Sequence, residues 1–266
     1  MTNIAIFGAN GRMGKVLCEA SLTSPNTTLA AAYVRDAHEL IGSPVQACIT
    51  QGQTEVTFSA ESEIGKDIDV AIDFTLKQGM RKHLQTAIAT KTPLVIGTTG
   101  LEASDMQALQ QAAQQIPIVF ARNYSVGVNL LLNLVQTAAT KMGDDLDIEI
   151  FEAHHRHKID APSGTALAIG EAIADAKGWD HDTVAVYDRS QVEQAKTQHE
   201  IGYSVLRGGD IVGEHTAYFA TMGERLELTH KASSRMTFAL GAIRAAAWLK
   251  NKPAGLYDMQ DVLDLK

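Results

Sequence analysis

Cysteine is scarce in this sequence: the 266 residues include only two, Cys18 and Cys48. Their spacing matches neither the short pairs of metal and redox motifs nor a disulfide framework, so we expect both to be small, buried apolar residues. Long apolar runs are missing too, since none approaches the roughly 18 to 20 residues that a membrane-spanning helix needs. The sequence does not open with a basic and then apolar leader. We therefore expect a cytoplasmic protein with no membrane partner.

Positive charge is also in deficit. The sequence has 23 lysine and arginine residues against 31 aspartate and glutamate residues, which gives a net charge of −8. Nucleic-acid binding needs a basic face for phosphate contacts, so this balance argues against a nucleic-acid partner. With 45% hydrophobic and 20% charged residues, the composition is that of a globular protein. The length is enough for two domains of ordinary size.

The first motif with chemical meaning joins a strand, a glycine-rich turn and a helix. Residues 3–7 form a short apolar run typical of a buried strand, and Gly8, Gly11 and Gly14 follow it in a GxxGxxG spacing. Glycines allow the close approach of a pyrophosphate, and the helix N-terminus offers N–H groups with partial positive charge. The motif predicts a dinucleotide site, and a tight turn without a ligand is the alternative.

The residues after the second strand indicate which nicotinamide cofactor is used. This strand, 29–34, ends at Val34, where NAD-specific proteins usually carry an acid that binds the ribose 2′-hydroxyl. Valine cannot accept that hydrogen bond, whereas the next residue, Arg35, suits the 2′-phosphate of NADPH. Asp36 would reach the ribose if the register were shifted by two residues. The sequence therefore favours NADPH and leaves NADH possible.

Strands and helices alternate over the first 120 residues or so, which predicts a Rossmann-like parallel sheet with crossover helices. In such sheets ligands bind beyond the carboxyl ends of the strands. The residues at the predicted strand ends should therefore ring one crevice. They are Gly8 to Met13, Phe74, Thr75, Gly97, Thr98, Thr99, and Ala121 to Tyr124.

The pattern changes after a long apolar helix that starts at residue 126. Longer alternating strands follow, with one helix at 165–177, and predict an α+β domain with an open mixed or antiparallel sheet. A final helix, 236–249, is rich in small residues and should pack back on the first domain. The predicted fold class is α/β, with a dinucleotide-binding domain of 1–125 and 235–266 and a substrate-binding and oligomerisation domain of 126–234.

Proton-transfer groups cluster in residues 154–165, between a strand end and a helix start. Reduction of a carbon conjugated to an imine requires a proton donor for the atom that collects the electrons, and a group that holds the substrate's negative charge. His154 and Lys158 suit proton transfer, and His155 suits the second task. Asp160 is placed to orient a neighbour.

The elements on either side of this cluster have roles of their own. Gly164 and Thr165 start a helix, so their N–H groups and the threonine hydroxyl would form a carboxylate-binding corner. On the preceding strand we expect Ile148 and Ile150 to face one side, with Glu149 and Glu152 on the other side or at the edge.

Two other interpretations of the cluster are available. Its three histidines and Glu152 offer ligands for zinc. Catalytic zinc sites, however, space their ligands on a helix or gather them from separate elements, so we expect no metal. The second interpretation is a solvated basic loop, which the turn at 162–165 disfavours.

The sequence resembles the dihydrodipicolinate reductases, also called 4-hydroxy-tetrahydrodipicolinate reductases, of bacterial diaminopimelate and lysine biosynthesis. The string EAHHRHKIDAPSGTAL at 152–167 is similar to the signature of that family throughout. The resemblance extends over the whole chain. Other similar segments are 8–14, 97–100, 123–129, 209–216 and 230–238.

The resemblance implies that NAD(P)H reduces the cyclic dicarboxylate made from pyruvate and aspartate semialdehyde, with loss of water. It implies that His154 transfers a proton, that Lys158 donates one, and that His155, Gly164 and Thr165 hold the substrate carboxylates. It also implies a homotetramer assembled through the sheets of the second domain. The implied cofactor-binding residues are Gly8, Ala9, Asn10, Gly11, Arg12, Met13, Arg35, Gly97, Thr98, Thr99, Ala121, Arg122, Asn123 and Tyr124.

Two positions depart from the family pattern. Relatives that use both cofactors carry an acid where this chain has Val34, while Arg35 matches their 2′-phosphate arginine. This departure favours NADPH over NADH. Arg122 stands where small residues are common, and it is placed to touch the cofactor.

Two competing functions would share the glycine-rich turn. Another nicotinamide oxidoreductase, acting on an amino-acid-derived imine, would need no dicarboxylate clamp, so His155 and the corner at 164–165 argue against it. A protein that senses NADP without chemistry of its own would have no use for the pair of His154 and Lys158.

Overall fold

A computed structural model describes residues 1–62, 64–65 and 67–266 of the chain. The chain divides into two compact units, one formed by Met1–Val126 with Arg235–Lys266 and the other by Gly127–Ser234. In the described part of the chain, no helix is both long enough and apolar enough to cross a lipid bilayer.

Short strands and longer helices alternate along the described residues. The strands are β1 Thr2–Phe7, β2 Thr27–Val34, β3 Phe58–Ala60, β4 Val70–Asp73, β5 Leu94–Ile96, β6 Pro117–Phe120, β7 Asp147–His154, β8 Ala185–Val186, β9 Ile201–Arg207, β10 Gly213–Thr221, β11 Glu224–Ala232 and β12 Gly255–Tyr257. The helices are α1 Arg12–Thr23, α2 Lys77–Thr90, α3 Ala103–Ala112, α4 Val126–Lys141, α5 Gly164–Lys177, α6 His181–Val184, α7 Met236–Leu249 and α8 Met259–Leu263, with a 3₁₀ turn at Val45–Cys48.

The first unit is built on a seven-stranded sheet in the order β12-β6-β5-β4-β1-β2-β3. Every neighbouring pair in it is parallel, which confirms the predicted Rossmann-like sheet. Its inner strands are buried on both faces. In β1, Ile4 and Ile6 pack in the core that α1 and α7 cover, while Ala5 and Phe7 pack in the opposite core with α2 and α3. This double burial explains the unbroken apolar run at the start of the chain.

Helix α7 belongs to the first unit and packs with its small residues against the core. Gly241 is the tightest point, because a Cβ there would lie 1.7 Å from the carbonyl oxygen of Tyr124. The chain that leads out of β6 therefore lies directly on the helix surface. This close approach is a physical reason for the small residues in the helix.

The second unit contains a five-stranded sheet in the order β11-β10-β7-β9-β8. Strand β7 is antiparallel to β10 and parallel to β9, and β10 and β11 form an antiparallel hairpin, so the predicted mixed sheet is confirmed. Helices α4 and α5 share a core with one face of this sheet; Val135 and Ile173 are examples of their contribution.

The predicted facing of β7 was wrong in one respect. Glu152 is buried, and its position in the alternation puts it on the same face as Ile148 and Ile150. A charged residue on the covered face of a strand requires partners that neutralise it. These partners come from elements distant in sequence and form part of the site.

We expect Gly241→Ala to lower the free energy of unfolding by about 1 to 3 kcal/mol, because the new methyl group would overlap the Tyr124 carbonyl. Alanine is the better helix former by about 1 kcal/mol, so helix propensity alone predicts the opposite sign. Urea unfolding measures the change. Ala247→Gly, on the exposed side of the same helix, is the control for propensity. A stabilised Gly241→Ala variant would contradict the close approach.

Candidate active site

The glycine-rich turn after β1 has the geometry of a phosphate cradle. Gly8 has a φ of +63°, a conformation that favours glycine. A Cβ at Gly14 would lie 2.1 Å from the carbonyl oxygen of Gly8, and a Cβ at Gly11 would lie 3.1 Å from the same atom. The turn is thus too tight for a side chain at Gly14. Helix α1 begins directly after it at Arg12, which brings the N–H groups of a helix N-terminus to the cradle.

An open cleft of about 790 Å³ lies beside this turn. Phe74, Thr75 and residues from the start of α2 line its other side. Ala9 is buried in the core behind the turn. The predicted cofactor-binding residues that line the cleft are Gly8, Asn10, Gly11, Arg12, Met13 and Arg35.

The chain after β5 contains three more of the predicted residues. A Cβ at Gly97 would lie 2.4 Å from the ring of Phe74, so glycine makes room for that ring. Thr98 is buried, and its hydroxyl has no hydrogen-bond partner within the described residues. Thr99 is exposed. A buried hydroxyl of this kind is suited to a ligand, because buried polar atoms are rarely left without a partner.

Tyr124, after β6, has a structural part in the sheet. Its side chain is buried, and its hydroxyl lies 2.8 Å from the carbonyl oxygen of Ile96 and 3.0 Å from that of Val119. The side chain therefore ties the ends of β5 and β6 together, and only its backbone is left for a cofactor. The neighbouring predicted residues differ in exposure: Ala121 is buried, Arg122 is exposed and Asn123 is half-buried.

Asp36, the alternative ribose-binding residue, is engaged within the protein. Its Oδ1 accepts hydrogen bonds from the N–H of Ser62 at 3.3 Å and from the hydroxyl of Ser62 at 2.9 Å, and its Oδ2 accepts one from Nζ of Lys82 at 2.6 Å. The hydrogen bonds from Lys82 and Ser62 lower the pKa of the Asp36 carboxyl. A cofactor ribose would have to compete with three existing hydrogen bonds.

A buried histidine on α2 lies between two carboxylates and lines the same cleft. Nδ1 of His83 is 2.7 Å from Oδ2 of Asp73, and Nε2 is 3.1 Å from Oε2 of Glu61. The ring stacks on Phe7 with 3.9 Å between centroids. Burial on its own would lower the pKa of His83, but the two carboxylates outweigh it and raise the pKa. The sequence carried no signal of this pairing.

In the second unit, one carboxylate organises the end of β7. Glu152 is 1% exposed, and Nδ1 of His154 donates to its Oε2 at 2.6 Å. The two terminal nitrogens of Arg207 donate to the two carboxylate oxygens at 2.8 Å each, and the N–H of Ser163 donates to Oε1 at 3.0 Å. Burial raises the pKa of Glu152, but the hydrogen bonds from His154 and Arg207 outweigh it and lower the pKa to about 2. The carboxylate is thus ionised and fully partnered.

The pairing with Glu152 fixes the orientation of His154. Because Nδ1 donates to the carboxylate, Nε2 is the atom that can exchange a proton. A Cβ at Gly213, on β10, would lie 3.0 Å from this Nε2. The glycine therefore leaves space beside the reactive nitrogen.

Lys158 lies in the turn after β7 and pairs with Asp160, its Nζ 2.9 Å from Oδ1 of the carboxylate. The neighbour that Asp160 orients is thus Lys158. The backbone carbonyl of Asp160 accepts a hydrogen bond from Arg207 at 2.6 Å, which links this turn to Glu152. His155 is half-buried in the same turn, where its carbonyl accepts from the N–H of Lys158 at 3.1 Å.

The predicted carboxylate-binding corner is the N-terminus of α5, capped by Ser163. The hydroxyl of Ser163 accepts from the N–H of Ala166 at 3.1 Å and lies 3.0 Å from Nε2 of His215. A Cβ at Gly164 would have no atom within 4 Å, so the helix start opens onto free space at this point. Thr165 is half-buried beside it. The first turn of a helix suits an anion because its N–H groups have no intrahelical partner.

His215 is buried and neutral. Burial, and then the charge of His154, lower its pKa to about 3. The Ser163 hydroxyl can therefore donate its proton to Nε2 of His215 while it caps the helix. His154, Glu152, the Ser163 cap and His215 thus belong to one hydrogen-bonded group.

Sequence reasoning missed the roles of Arg207, Gly213 and His215. They lie on β9 and β10 and reach the site through strand pairing, Arg207 opposite His154 and His215 opposite Glu152. The pairing joins residues that are far apart along the chain, so no local sequence pattern predicts it. For Gly213 and His215 the family-like segment 209–216 was the one available signal.

The parallel sheet with its glycine cradle, and the cluster of proton-transfer groups at the end of β7, define a nicotinamide-dinucleotide oxidoreductase. The family model described as dihydrodipicolinate reductase, N-terminus, matches residues 2–124, and the one described as dihydrodipicolinate reductase, C-terminus, matches residues 127–263. The chain belongs to the dihydrodipicolinate reductase family.

Individual relatives agree with this assignment. The chain is 76% identical over 263 residues to the 4-hydroxy-tetrahydrodipicolinate reductase of Pseudoalteromonas translucida, covering 99% of this chain and 98% of that one. It is 57% identical to the enzyme of the same name from Pseudoalteromonas atlantica, with complete coverage of both. The solved structure of a dipicolinate-bound dihydrodipicolinate reductase from Paenisporosarcina sp. TG-14 shares the fold, with a TM-score of 0.76, 24% identity and 98% coverage of both chains.

We expect His215 to make the protein less stable in acid. Its pKa is about 3 in the folded chain and 6.5 ordinarily, so between these values the unfolded chain binds a proton that the folded chain does not. This stability is complete above pH 6.5 and is lost as the pH falls, by about 2 kcal/mol at pH 5. Urea unfolding at pH 7 and pH 5 should show that the free energy of unfolding falls less between these pH values in His215→Gln than in the unchanged protein. His157→Gln, at an exposed position, is the control, and an unchanged pH dependence in His215→Gln would contradict a buried neutral histidine.

Proposed function

We propose that the chain reduces 4-hydroxy-tetrahydrodipicolinate to tetrahydrodipicolinate in diaminopimelate and lysine biosynthesis. The substrate gains a hydride and a proton and loses water, and a nicotinamide dinucleotide supplies the hydride. The observation that carries the proposal is the state of His154, a buried imidazole with Nδ1 bonded to Glu152 and space beside Nε2. The name shared by the relatives supports the same reaction.

The residues of the first unit fit such a cofactor. The glycine-rich turn lines the cleft beside the N-terminus of α1, where a pyrophosphate would bind, and the buried hydroxyl of Thr98 suits a polar group of the ligand. We assign the cofactor to the first unit and the substrate to the second. The proposed cofactor-binding residues remain Gly8, Ala9, Asn10, Gly11, Arg12, Met13, Arg35, Gly97, Thr98, Thr99, Ala121, Arg122, Asn123 and Tyr124.

His154 and Lys158 would carry the proton transfers. Addition of a hydride to a conjugated carbon sends an electron pair to an atom that must then be protonated. Nε2 of His154 is the ring atom that can give or take a proton, because Nδ1 donates to the carboxylate of Glu152. The ammonium of Lys158, oriented by Asp160, is a second proton donor.

The substrate's two carboxylates would bind at His155 and at the start of α5. Gly164 offers backbone without a covering side chain, and Thr165 adds a hydroxyl. The partial positive charge at the helix N-terminus favours an anion there. Such a clamp distinguishes a dicarboxylate from substrates with a single acidic group.

We also propose NADPH as the preferred cofactor, with NADH as a possible substitute. Arg35 lines the cleft and is exposed, so its guanidinium is placed for a 2′-phosphate. Val34, the residue where an acid would serve NADH, is buried. Asp36 is already bonded to Ser62 and Lys82.

The second unit is proposed to assemble the protein into a homotetramer. Its strands and hairpin carry exposed apolar side chains, which a partner surface would cover. Sedimentation equilibrium should give the mass of four chains; a monomer across the micromolar range would reject this proposal. The exposed residues are Val205, Leu206, Met222 and Leu226.

We expect His154→Ala and Lys158→Ala each to lower kcat by a factor of about 10² to 10⁴, the usual worth of general acid–base catalysis. The substrate is generated in place from pyruvate and aspartate semialdehyde by a synthase, and cofactor oxidation is followed by absorbance. Calorimetric Kd values for NADPH should stay unchanged. His157→Ala, an exposed change in the same turn, is the matched control. Normal turnover in either variant would remove that residue from catalysis.

We expect Arg35→Ala to raise the Kd for NADPH by about tenfold or more, since it removes a charge-assisted contact with the 2′-phosphate. The Kd for NADH should change by no more than about twofold, because NADH lacks that phosphate. Calorimetry with each cofactor measures both values. Equal weakening of the two cofactors would show that Arg35 does not bind the 2′-phosphate.

A further inference from the structure

One lysine, Lys82 on α2, joins two carboxylates at the edge of the cofactor cleft. Its Nζ lies 2.6 Å from Oδ2 of Asp36 and 2.9 Å from Oε1 of Glu61. Asp36 follows the end of β2 and Glu61 follows the end of β3, so the lysine links two neighbouring strand ends. Lys82 and Glu61 line the cleft together with Arg35.

The position of these groups matters because the two cofactors differ at the ribose. NADH presents a 2′-hydroxyl, which a carboxylate binds well, and NADPH presents a 2′-phosphate, which a carboxylate repels. The end of β2 is where the ribose lies in folds of this kind, and the end of β3 is its neighbour in this sheet. This chain has two carboxylates there, Asp36 and Glu61, and yet the residue available to a ligand is Arg35.

Hydrogen bonds from within the chain explain this contrast. Both oxygens of Asp36 are occupied, one by Ser62 and the other by Lys82. Both oxygens of Glu61 are occupied as well, one by Lys82 and the other by His83. Lys82 contributes to both sets, so within residues 1–62, 64–65 and 67–266 it is the group that binds both carboxylates.

We propose that Lys82 is a specificity-determining residue for NADPH. By binding Asp36 and Glu61 it keeps both carboxylates from the cofactor ribose and offsets their charge, so that Arg35 can meet the 2′-phosphate. This inference rests on the proposed binding of NADPH by Arg35. Lys82 acts as a positioning residue, through the carboxylates, and does not take part in proton or hydride transfer.

The test is the binding of NADPH and NADH to Lys82→Met, measured by calorimetry on the full chain. The Kd for NADPH should rise by about tenfold, because the two carboxylates, without the positive charge of the lysine beside them, would repel the phosphate. The Kd for NADH should fall by about threefold, since Oδ2 of Asp36 loses the lysine and can accept from the 2′-hydroxyl while Ser62 still holds Oδ1. Lys82→Gln repeats the comparison with a polar side chain and should give the same direction.

Lys77→Met is the matched control. Lys77 lies on the same helix as Lys82, but it forms an ion pair with Glu102. Its substitution by methionine removes the same charge from the chain. The Kd values of Lys77→Met for NADPH and NADH should stay within about twofold of those of the unchanged protein, because the partner of Lys77 is a different carboxylate. A shift equal to that of Lys82→Met would reduce the effect to net charge and overturn the proposal.

A second variant separates the carboxylates from the lysine itself. In the double variant Lys82→Met with Asp36→Asn, the tighter binding of NADH seen in Lys82→Met should disappear. Much of the affinity for NADPH that Lys82→Met loses should return. If NADPH stays weak in this double variant, Lys82 binds the phosphate directly and the proposal is wrong. Equal weakening of both cofactors in Lys82→Met also overturns it.

Failure of the underlying function would look different. If Arg35→Ala weakens NADPH and NADH alike, the 2′-phosphate assignment fails whatever Lys82 does. If Arg35→Ala is selective for NADPH and Lys82→Met is not, the assignment stands and only the inference about Lys82 is lost.

Discussion

The second unit depends on the neutralisation of one buried charge, the carboxylate of Glu152. A charged group in the interior is costly unless every lone pair finds a donor. Here His154, Arg207 and Ser163 supply four hydrogen bonds, and these donors come from the end of β7, the end of β9 and the start of α5. The same contacts therefore hold three elements together and orient the imidazole. The stability of this unit and the geometry of the proposed catalytic histidine therefore depend on the same contacts.

The first unit uses the same principle at the end of β4. Asp73 is fully buried; its Oδ1 accepts from the N–H and hydroxyl of Thr75 at 2.7 Å each, and its Oδ2 faces His83. Thr75 lines the cofactor cleft, so the shape of that wall follows from how the carboxylate is satisfied. Parallel strands end together at one edge of a sheet, and the charged groups that shape both sites lie at such ends.

The glycine cradle, the parallel sheet and the cluster after β7 were predictable because each is encoded locally, by a turn, a period or a run of residue types. Strands β3 and β12, of three residues each, are too short to show a period. Glu152 was misplaced because an acid is expected on the exposed face of a strand, although the two-residue period puts it on the face of Ile148 and Ile150. Its partner, Arg207, is set by strand pairing, and no local pattern reports it.

The choice between Arg35 and Asp36 illustrates the same limit at the scale of one residue. Position along the chain makes both candidates for the ribose, and their chemistry points to opposite cofactors. What separates them is a contact made 46 residues further on, where Lys82 on α2 binds the carboxylate. The presence of an acid after the second strand is therefore not enough to indicate NADH. On the proposal made for Lys82, an acid favours NADH only when the fold leaves it unbonded, and here the helix that faces Asp36 supplies the lysine that binds it.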